Sequence, residues 1–417
     1  RIVETLTSED EIATTHDLKT ISNLLGITSP PEDDLAVISS FKKDGTCEGF
    51  LECAEVKSWL SSQTTQILWA YAPPGSGKSI TCSFIVEYLL ASGYRCAYFF
   101  FKYGQSYKQS TKDLLLSLAY QTACQIPEYR RAIVELTKSI SASRIANSDF
   151  AYIWRTLFSG LLSQIEITVH FYWVIDGVDE SNSSKQTIQL LSQSSQFKLP
   201  LKILVFSRPL PHIDYAFKKA KAINIVKMAL PENQNDIRKM VTEEIDYLPC
   251  ENIVCANEFK EQIVNEITSR SQGNFLWASL ITQQVVKCHR QDQIKRLLNT
   301  MPTGMDQLYH RMMDSVAALE TKEDRALAQI LLLWAAYARM PISLEELVDL
   351  YPTAFTSVLD LHHTVNEVCG QFVVIDPQGR ISLVHHSARE YLENTQRHPF
   401  NLTSGYGHEE LLVQCLT

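Results

Sequence analysis

Between residue 41 and about residue 224, short apolar runs alternate with longer stretches of helical periodicity. Four runs have the length and composition of buried strands, namely QILWAY (66–71), RCAYFFF (95–101), HFYWVI (170–175) and KILVF (202–206). Strands that are apolar on both faces and separated by helices are typical of a parallel sheet wrapped by helices. The segment 41–224 is therefore predicted to be an α/β domain.

Beyond about residue 224 the strand pattern stops and helical spacing dominates. In 225–304, ENQNDIRKMVTEEI is predicted to open a helix on a polar cap, and apolar residues recur at helical spacing at Leu276, Trp277, Leu280, Ile281 and Val285. In 305–400, helices precede FVVID-PQGR-ISLV, a predicted hairpin, and then a helix over SAREYLE. This order predicts a helical domain and then a winged-helix domain, with 401–417 starting a further helical region.

The first 40 residues are predicted to be a linker, because they are polar and acidic and because Pro30 and Pro31 stop a helix. The chain starts at Arg1 rather than at Met, and its last residues have an unfinished helical pattern. We therefore expect it to be part of a longer protein.

Composition narrows the possible partners. The 417 residues are 45% hydrophobic and 10% aromatic, enough for several packed domains. The net charge of −9 disfavours nucleic acid or an anionic membrane as the main partner. Ten Cys without a C-x-x-C pair indicate reduced thiols in a cytoplasmic protein, and no apolar run is long enough for membrane insertion.

The segment APPGSGKS (72–79), between a predicted strand and a predicted helix, resembles a phosphate-binding loop. Its glycines let successive amides point at a phosphate, Lys78 can reach the outer phosphates, and the Ser79 hydroxyl can bind Mg²⁺. Ala72 stands where the pattern has Gly, and it is the smallest replacement. The predicted nucleotide-contacting residues are Pro74, Gly75, Ser76, Gly77, Lys78, Ser79 and Ile80.

Acidic residues follow the third predicted strand, in FYWVIDGVDE (171–180). Asp176 would lie at the carboxyl edge of the sheet, where ligands bind in such folds, and would hold Mg²⁺ together with Ser79. Asp179 and Glu180 are candidates for positioning or activating the water that attacks a γ-phosphate. These three residues are the predicted catalytic carboxylates.

Two further residues each have two interpretations. Arg208, after the strand KILVF, could contact a γ-phosphate, or it could pair with a carboxylate such as Asp179. His385, between the hairpin and the last helix, could be an ordinary surface or core histidine, and nothing local favours a ligand role.

Together these motifs resemble the NACHT family of signalling NTPases, particularly fungal NLR-like members. The matching segments are GTCEGFLECAEVKSWL, PPGSGKS, DGVDE, FSRP, SQGNFLWASLI, MPTGMDQLYHRMM, ARMPISLEELVDL and LVHHSAREYL. They extend over nearly the whole chain. The related helical domains often have a Pro near the adenine, whereas here Gly273 is followed by Asn274 and Phe275.

The resemblance implies a molecular switch that binds ADP in a closed state and ATP with Mg²⁺ in an open state that self-associates. It places His385 on the ADP β-phosphate, and it implies sensor and effector domains on the same longer chain. In the family pattern a Gly rather than an acid follows the magnesium-binding Asp, and this chain has Gly177 there. The resemblance therefore implies slow ATP hydrolysis. The alternatives are a nucleotide-independent interaction scaffold and a dedicated P-loop kinase or NTPase.

Overall fold

The computed structural model describes residues 8–27, 30–102, 108–166, 169–220, 223–250, 255–376, 378–394, 400, 402 and 404–416. Parts of the predicted linker (1–7 and 28–29) and of the last predicted region (401, 403 and 417) lie outside these residues. By internal contacts the chain divides into two units. The first holds most residues up to Glu232, and the second starts at Asn233 and also includes Pro74–Ser76.

The first unit is built on a five-stranded sheet in the order β2-β3-β4-β1-β5. All neighbouring strands are parallel, which confirms the predicted α/β architecture. The strands are β1 (Gln66–Tyr71), β2 (Arg95–Phe100), β3 (Phe171–Asp176), β4 (Leu201–Ser207) and β5 (Asn224–Ala229). Because β4 lies between β1 and β3, the loops that follow these three strands meet at the carboxyl edge of the sheet.

Helices cover both faces of this sheet. They are α1 (Ser8–Leu25), α2 (Pro31–Ser39), α3 (Glu48–Glu52), α4 (Ala54–Ser61), α5 (Lys78–Ala91), α6 (Thr111–Gln125), α7 (Pro127–Thr137), α8 (Ala142–Ala146), α9 (Phe150–Ile153), α10 (Ser184–Ser192) and α11 (Pro211–Lys219). The strand side chains alternate between two apolar clusters, one on each face. The central strands are therefore buried on both sides, as their apolar runs predict.

The β2 edge of the sheet is covered by amide side chains of α6. Gln121 accepts from Tyr98 N at 3.0 Å and donates to Tyr98 O at 2.7 Å. Gln125 does the same for Cys96, at 2.9 and 2.7 Å. The two glutamines thus satisfy backbone groups that a neighbouring strand would otherwise pair.

Two sequence predictions are wrong in this unit. The strands do not stop at 224, because β5 pairs with β1 along its whole length. Residues 8–27 and 30–39 are not a linker, because they form two helices and because Ile21, Leu24 and Leu25 are buried in a sheet-face cluster. Pro31 does not end a helix but begins α2, where its fixed φ and missing N–H are tolerated.

The second unit is mostly helical. Its helices are α12 (Gln234–Asp246), α13 (Ala256–Ser271), α14 (Phe275–Val286), α15 (Gln291–Thr300), α16 (Met305–Ala317), α17 (Lys322–Tyr337), α18 (Leu344–Leu350), α19 (Pro352–Phe355), α20 (Leu361–Val368), α21 (His386–Asn394) and α22 (Ser404–Leu416). Their apolar faces share one continuous buried cluster. No helix within the described residues is long and apolar enough to cross a membrane.

The predicted hairpin is present in this unit. Strands β6 (Val373–Ile375) and β7 (Ile381–Leu383) pair antiparallel, and Gly379 has φ +75° in the turn. An isolated bridge between Ser343 and Arg380 adds a third segment to the hairpin. Helices α16–α20, the hairpin and α21 follow one another in the order predicted for a winged helix.

Candidate nucleotide-binding site

The loop after β1 has the backbone geometry that phosphate binding requires. Gly75 and Gly77 have φ of +73° and +85°, a region that favours glycine, and α5 begins directly afterwards at Lys78. Ala72 continues the strand direction, and its N–H donates to Ser207 O of β4 at 3.2 Å. Because this position is bonded to the neighbouring strand, Ala is compatible with the loop.

Lys78 lies over its own loop. Its Nζ donates to Pro73 O at 2.7 Å and to Ala72 O at 3.1 Å. Burial lowers the pKa of the Lys78 ammonium, while the nearby charges of Asp179 and Asp176 act in the opposite direction. The lysine is thus held among the carboxylates at the carboxyl edge of the sheet.

Asp176 ends β3 and is 4% exposed. Burial raises the pKa of its carboxyl to about 6, against a hydrogen bond from Ser79 and the charge of Lys78. Its Oδ1 is buried without a hydrogen-bond partner, which is costly for a carboxylate unless something binds there.

These residues fit a magnesium ion. A hydroxyl and a carboxylate are hard oxygen ligands, and Mg²⁺ is usually bound by one or two carboxylates together with substrate phosphates. Ser79 and Asp176 supply such a pair, and the unpartnered Oδ1 is an available ligand atom. Among the described residues there is no group of three or more His, Cys, Asp or Glu that could hold a metal ion by itself.

The turn after Asp176 requires glycine. Gly177 has φ +68°, and a Cβ there would come within 3.2 Å of Phe101 O. A short 3-10 turn over Val178–Glu180 follows, in which Glu180 N donates to Gly177 O at 2.7 Å. Asp179 and Glu180 therefore lie in the same edge loop as Asp176.

Asp179 and Arg208 bind each other. Asp179 Oδ1 accepts from Arg208 N at 3.1 Å, and Arg208 Nε lies 3.2 Å from Asp179 Oδ2. Both side chains are largely buried, with 13% of Arg208 and 5% of Asp179 exposed. Of the two interpretations of Arg208, pairing with a carboxylate is what the structure contains. A contact with phosphate stays a prediction.

The loop segment Pro74–Ser76 belongs to the second unit through its carbonyl groups. Phe275 N donates to Gly75 O at 2.7 Å. Asn274 Nδ2 donates to Pro74 O at 3.4 Å, and Asn233 Nδ2 donates to Ser76 O at 3.2 Å. All three carbonyls of this segment are thus bonded to residues of the second unit.

Neither of these two asparagines is among the site residues predicted from the sequence. Asn233 sits at the predicted polar cap of α12, but its side chain caps no helix there and bonds Gly273 O and Ser76 O instead. Asn274 is the N-cap of α14 and accepts from Trp277 N at 2.9 Å. In the sequence, only the departure from the family pattern at Asn274 pointed to this part of the site.

The structure brings Lys78, Ser79, Asp176, Asp179 and Arg208 together at one edge of the first unit, and Ile80 follows them in the first turn of α5. His385 belongs to the second unit, where it immediately precedes α21.

A parallel sheet with a glycine-containing loop, Lys78 and Ser79 after β1 and Asp176 after β3 defines the P-loop NTPase fold class. Residues 45–208 match the family model described as Nephrocystin 3, N-terminal, and residues 312–403 match the one described as GPI inositol-deacylase, winged helix domain. These matches confirm the predicted fold and the NACHT-like character of the first unit.

One curated relative matches most of this chain. The vegetative incompatibility protein HET-E-1 of Podospora anserina is 25% identical over 382 residues, which cover 89% of this chain. This chain spans 28% of the length of that relative. The match agrees with the predicted resemblance to fungal NLR-like proteins.

Solved structures with similar elements share little sequence with this chain. The Walker-type ATPase paby2304 of Pyrococcus abyssi is 11% identical, with a TM-score of 0.39 over 84% of this chain and 97% of its own. The Aeropyrum pernix ORC1 protein in complex with DNA is 11% identical, with a TM-score of 0.35 over 95% and 98% of the two chains. Scores this low do not define the fold, which rests on the strand order and the loop.

Proposed function

We propose that this chain is the nucleotide-dependent core of a signalling switch. It holds ADP in a closed state and ATP with Mg²⁺ in an open state that self-associates. The observation that carries the proposal is the buried Asp176 carboxylate beside Ser79 and Lys78, with one oxygen left for a ligand.

Each site residue at the carboxyl edge of the sheet has a role in this proposal. The amides of the loop and the start of α5 bind the phosphates, and Lys78 neutralises their outer oxygens. Ser79 and Asp176 hold Mg²⁺, which when bound offsets charge on the β- and γ-phosphates. Asp179 and Glu180 position the attacking water, and Arg208 contacts the γ-phosphate when its bond to Asp179 opens.

Hydrolysis is proposed to be slow. The position directly after Asp176 is Gly177, where a φ of +68° and the 3.2 Å approach of a Cβ to Phe101 O disfavour a side chain. Gly177 supplies no carboxylate base, so water activation falls to Asp179 and Glu180. Asp179 is already bonded to Arg208. A long-lived ATP state suits a signal whose duration is set by turnover.

The biological setting is proposed by resemblance. HET-E-1 is named as a vegetative incompatibility protein, and by analogy this chain would act in the cytoplasm in self/non-self recognition, innate immunity or programmed cell death. The trigger and the output would come from sensor and effector domains in a longer chain. Fold-level likeness supports this step, so the site itself must be tested first.

The test is the nucleotide content of the freshly purified chain, measured by chromatography after denaturation. Near-stoichiometric ADP or ATP is expected in the wild type and is expected to be lost in Lys78→Ala. Lys57→Ala is the matched control, because Lys57 is exposed and pairs with Glu52 on the same unit. A wild type that is empty and also fails to bind added ADP or ATP would instead indicate a scaffold.

The competing enzyme hypothesis has its own readout. A dedicated kinase or NTPase would transfer phosphate at rates of about 1 per second or more. The switch predicts turnover far below that rate. Measuring ADP and phosphate release under steady-state conditions therefore separates the two hypotheses.

A further inference from the structure

Strand β5 forms one edge of the sheet in the first unit, and the two edges of this sheet differ. The edge on β2 is covered by the side chains of Gln121 and Gln125. On β5, no residue in the described part of the chain bonds the backbone groups that point away from β1. Because an unpaired strand edge is a template for a further strand, this edge is a candidate interaction surface.

The direction of the backbone groups along β5 follows from one hydrogen bond. Leu230 N donates to Tyr71 O at 3.0 Å, directly after the paired residues of the two strands. Backbone groups alternate in direction along a strand, so those of Val226 and Met228 also point toward β1. The groups of the residues between them point outward, and each such residue presents one N–H and one C=O. The outward-pointing residues are Ile225, Lys227 and Ala229.

Lys227 does not shield this edge. A lysine on an edge strand often blocks pairing with another chain, but this side chain leans back over the face of the sheet. Its Nζ lies 2.5 Å from Asp214 Oδ1 of α11. It also lies 4.5 and 4.8 Å from the ring centroids of Trp69 and Tyr71, which belong to β1. The ammonium group therefore points toward the interior of the sheet rather than across its edge.

The side chains beside this edge are mainly basic. Lys218 Nζ lies 2.5 Å from Asp214 Oδ2, so Lys218 and Lys227 share one carboxylate. Lys219 is exposed, with its Nζ 5.0 Å from the ring centroid of Tyr215. Three lysines beside one aspartate give a local excess of positive charge, on a chain whose net charge is −9. A second copy paired through its own β5 would bring like charges together, whereas an acidic segment is complementary.

We propose that the outer edge of β5 binds an extended acidic segment of a partner protein as an additional strand. Because side chains alternate along a strand, one face of the added strand lies beside Lys227 and Lys218. The other face lies beside Val226, which is apolar and half-buried. The partner segment is therefore expected to alternate acidic and apolar residues. No residue of the nucleotide site takes part, so this binding goes beyond the proposed function.

An edge strand that meets only water is the simpler explanation. Strands of this length are common at sheet edges, and water can satisfy their outward N–H and C=O groups. Such an edge would not distinguish an acidic segment from a basic one. A preference for acidic charge and a dependence on the outward N–H groups therefore separate the two explanations.

The probes are two short fluorescein-labelled peptides, one of alternating Glu and Val and one of alternating Lys and Val. Their binding to the 417-residue chain is measured by fluorescence polarisation. We expect saturable binding of the acidic peptide. The basic peptide is expected to bind at least about tenfold more weakly, because several of its charges meet lysines of like sign.

Ala229→Pro tests the backbone pairing. Proline is tolerated on an edge strand where the missing N–H would face outward, so thermal unfolding should stay close to that of the wild type. The lost donor, together with a ring in the path of the added strand, is expected to weaken the acidic peptide by at least about tenfold. Ala229→Ser keeps the N–H, so it is the matched control and is expected to bind like the wild type.

Lys218→Glu tests the charge, and it decides the question if Ala229→Pro does not fold. It is expected to weaken the acidic peptide by about threefold or more and to bring the two affinities closer together. Lys138→Glu is the control, because Lys138 is also an exposed lysine of the first unit and pairs with Glu135. This control is expected to leave both affinities unchanged.

Several results would overturn the proposal. They are no saturable binding of the acidic peptide up to about 1 mM, equal affinity for the two peptides, and unchanged binding in a folded Ala229→Pro or in Lys218→Glu. Sedimentation velocity tests the other occupant. A concentration-dependent dimer of the wild type that Ala229→Pro abolishes would assign this edge to a second copy and refute the acidic partner.

Discussion

Asp176→Asn is predicted to stabilise the chain in the absence of nucleotide and metal. The Asp176 carboxyl is 4% exposed, and burial raises its pKa from an ordinary 3.8 to about 6. At 1.36 kcal/mol per pKa unit, ionising it in the folded state costs about 3 kcal/mol. Asn keeps the shape and removes the charge, so part of this free energy is regained.

The effect has a definite pH dependence. A carboxyl with a raised pKa binds its proton more tightly in the folded state, so the wild type loses stability as pH rises from about 4 through about 6. Above that range the cost is complete and constant. The advantage of Asp176→Asn should therefore be full at pH 8 and should shrink as pH falls toward 5.

The assay is thermal unfolding at pH 5 and pH 8 with EDTA present and nucleotide removed. About 3 kcal/mol corresponds to several degrees in the transition of the first unit. Asp44→Asn is the control, because it removes an exposed carboxylate from the same unit. A variant that melts below the wild type at pH 8, or a difference independent of pH, would refute the argument.

The same variant is predicted to lose its response to metal. In the wild type, Mg²⁺ with ADP or ATP should raise the melting temperature further than nucleotide alone, since binding to the folded state stabilises it. Asp176→Asn removes a charged ligand, so nucleotide alone and nucleotide with Mg²⁺ should give the same shift. A variant that is more stable without ligand but no longer responds to Mg²⁺ is expected where the native residue is kept for binding at a cost in stability.

Two further substitutions test buried polar groups of the first unit. Gln121→Leu is expected to destabilise the first unit by about 2–4 kcal/mol, because it leaves Tyr98 N and O buried and unpaired. Denaturant unfolding measures the loss, and Gln186→Leu, at an exposed position, is the control. A free energy of unfolding equal to that of the wild type would contradict the prediction. Lys202→Met is expected to raise the melting temperature at pH 7 more than at pH 9.5, because burial lowers the Lys202 pKa to about 8 and this cost disappears as pH rises. A gain independent of pH would argue against that charge effect.

The sheet and its edge loops could be predicted because their signals are local. Central strands are apolar on both faces, and a loop that binds phosphate needs glycine at fixed positions. Strand β5 escaped detection since it lies at the sheet edge, where exposed polar residues such as Asn224 and Lys227 are tolerated. Lys227 Nζ lies 4.5 Å from the ring centroid of Trp69 and 4.8 Å from that of Tyr71. These contacts come from residues far away in the sequence, so no local pattern predicts them.

The roles of particular side chains were harder to foresee. Whether Pro31 ends or begins a helix depends on what the helix packs against, and here α1 and α2 are anchored by buried residues such as Ile21. Asn233 has the composition of a helix cap, yet its amide bonds the phosphate loop 157 residues away. Local patterns identify donors and acceptors, but only the folded chain pairs them.

The bond between Arg208 and Asp179 favours a switch over a fast enzyme. In the proposed function Arg208, whose Nε lies 3.2 Å from Asp179 Oδ2, exchanges this partner for the γ-phosphate. Because both side chains are largely buried, the exchange is costly unless the γ-phosphate replaces the carboxylate. ADP offers no such replacement, so under the proposed function the pair would distinguish the two nucleotides by one phosphate. That difference in binding free energy is what a two-state protein needs in order to change its population with the bound nucleotide.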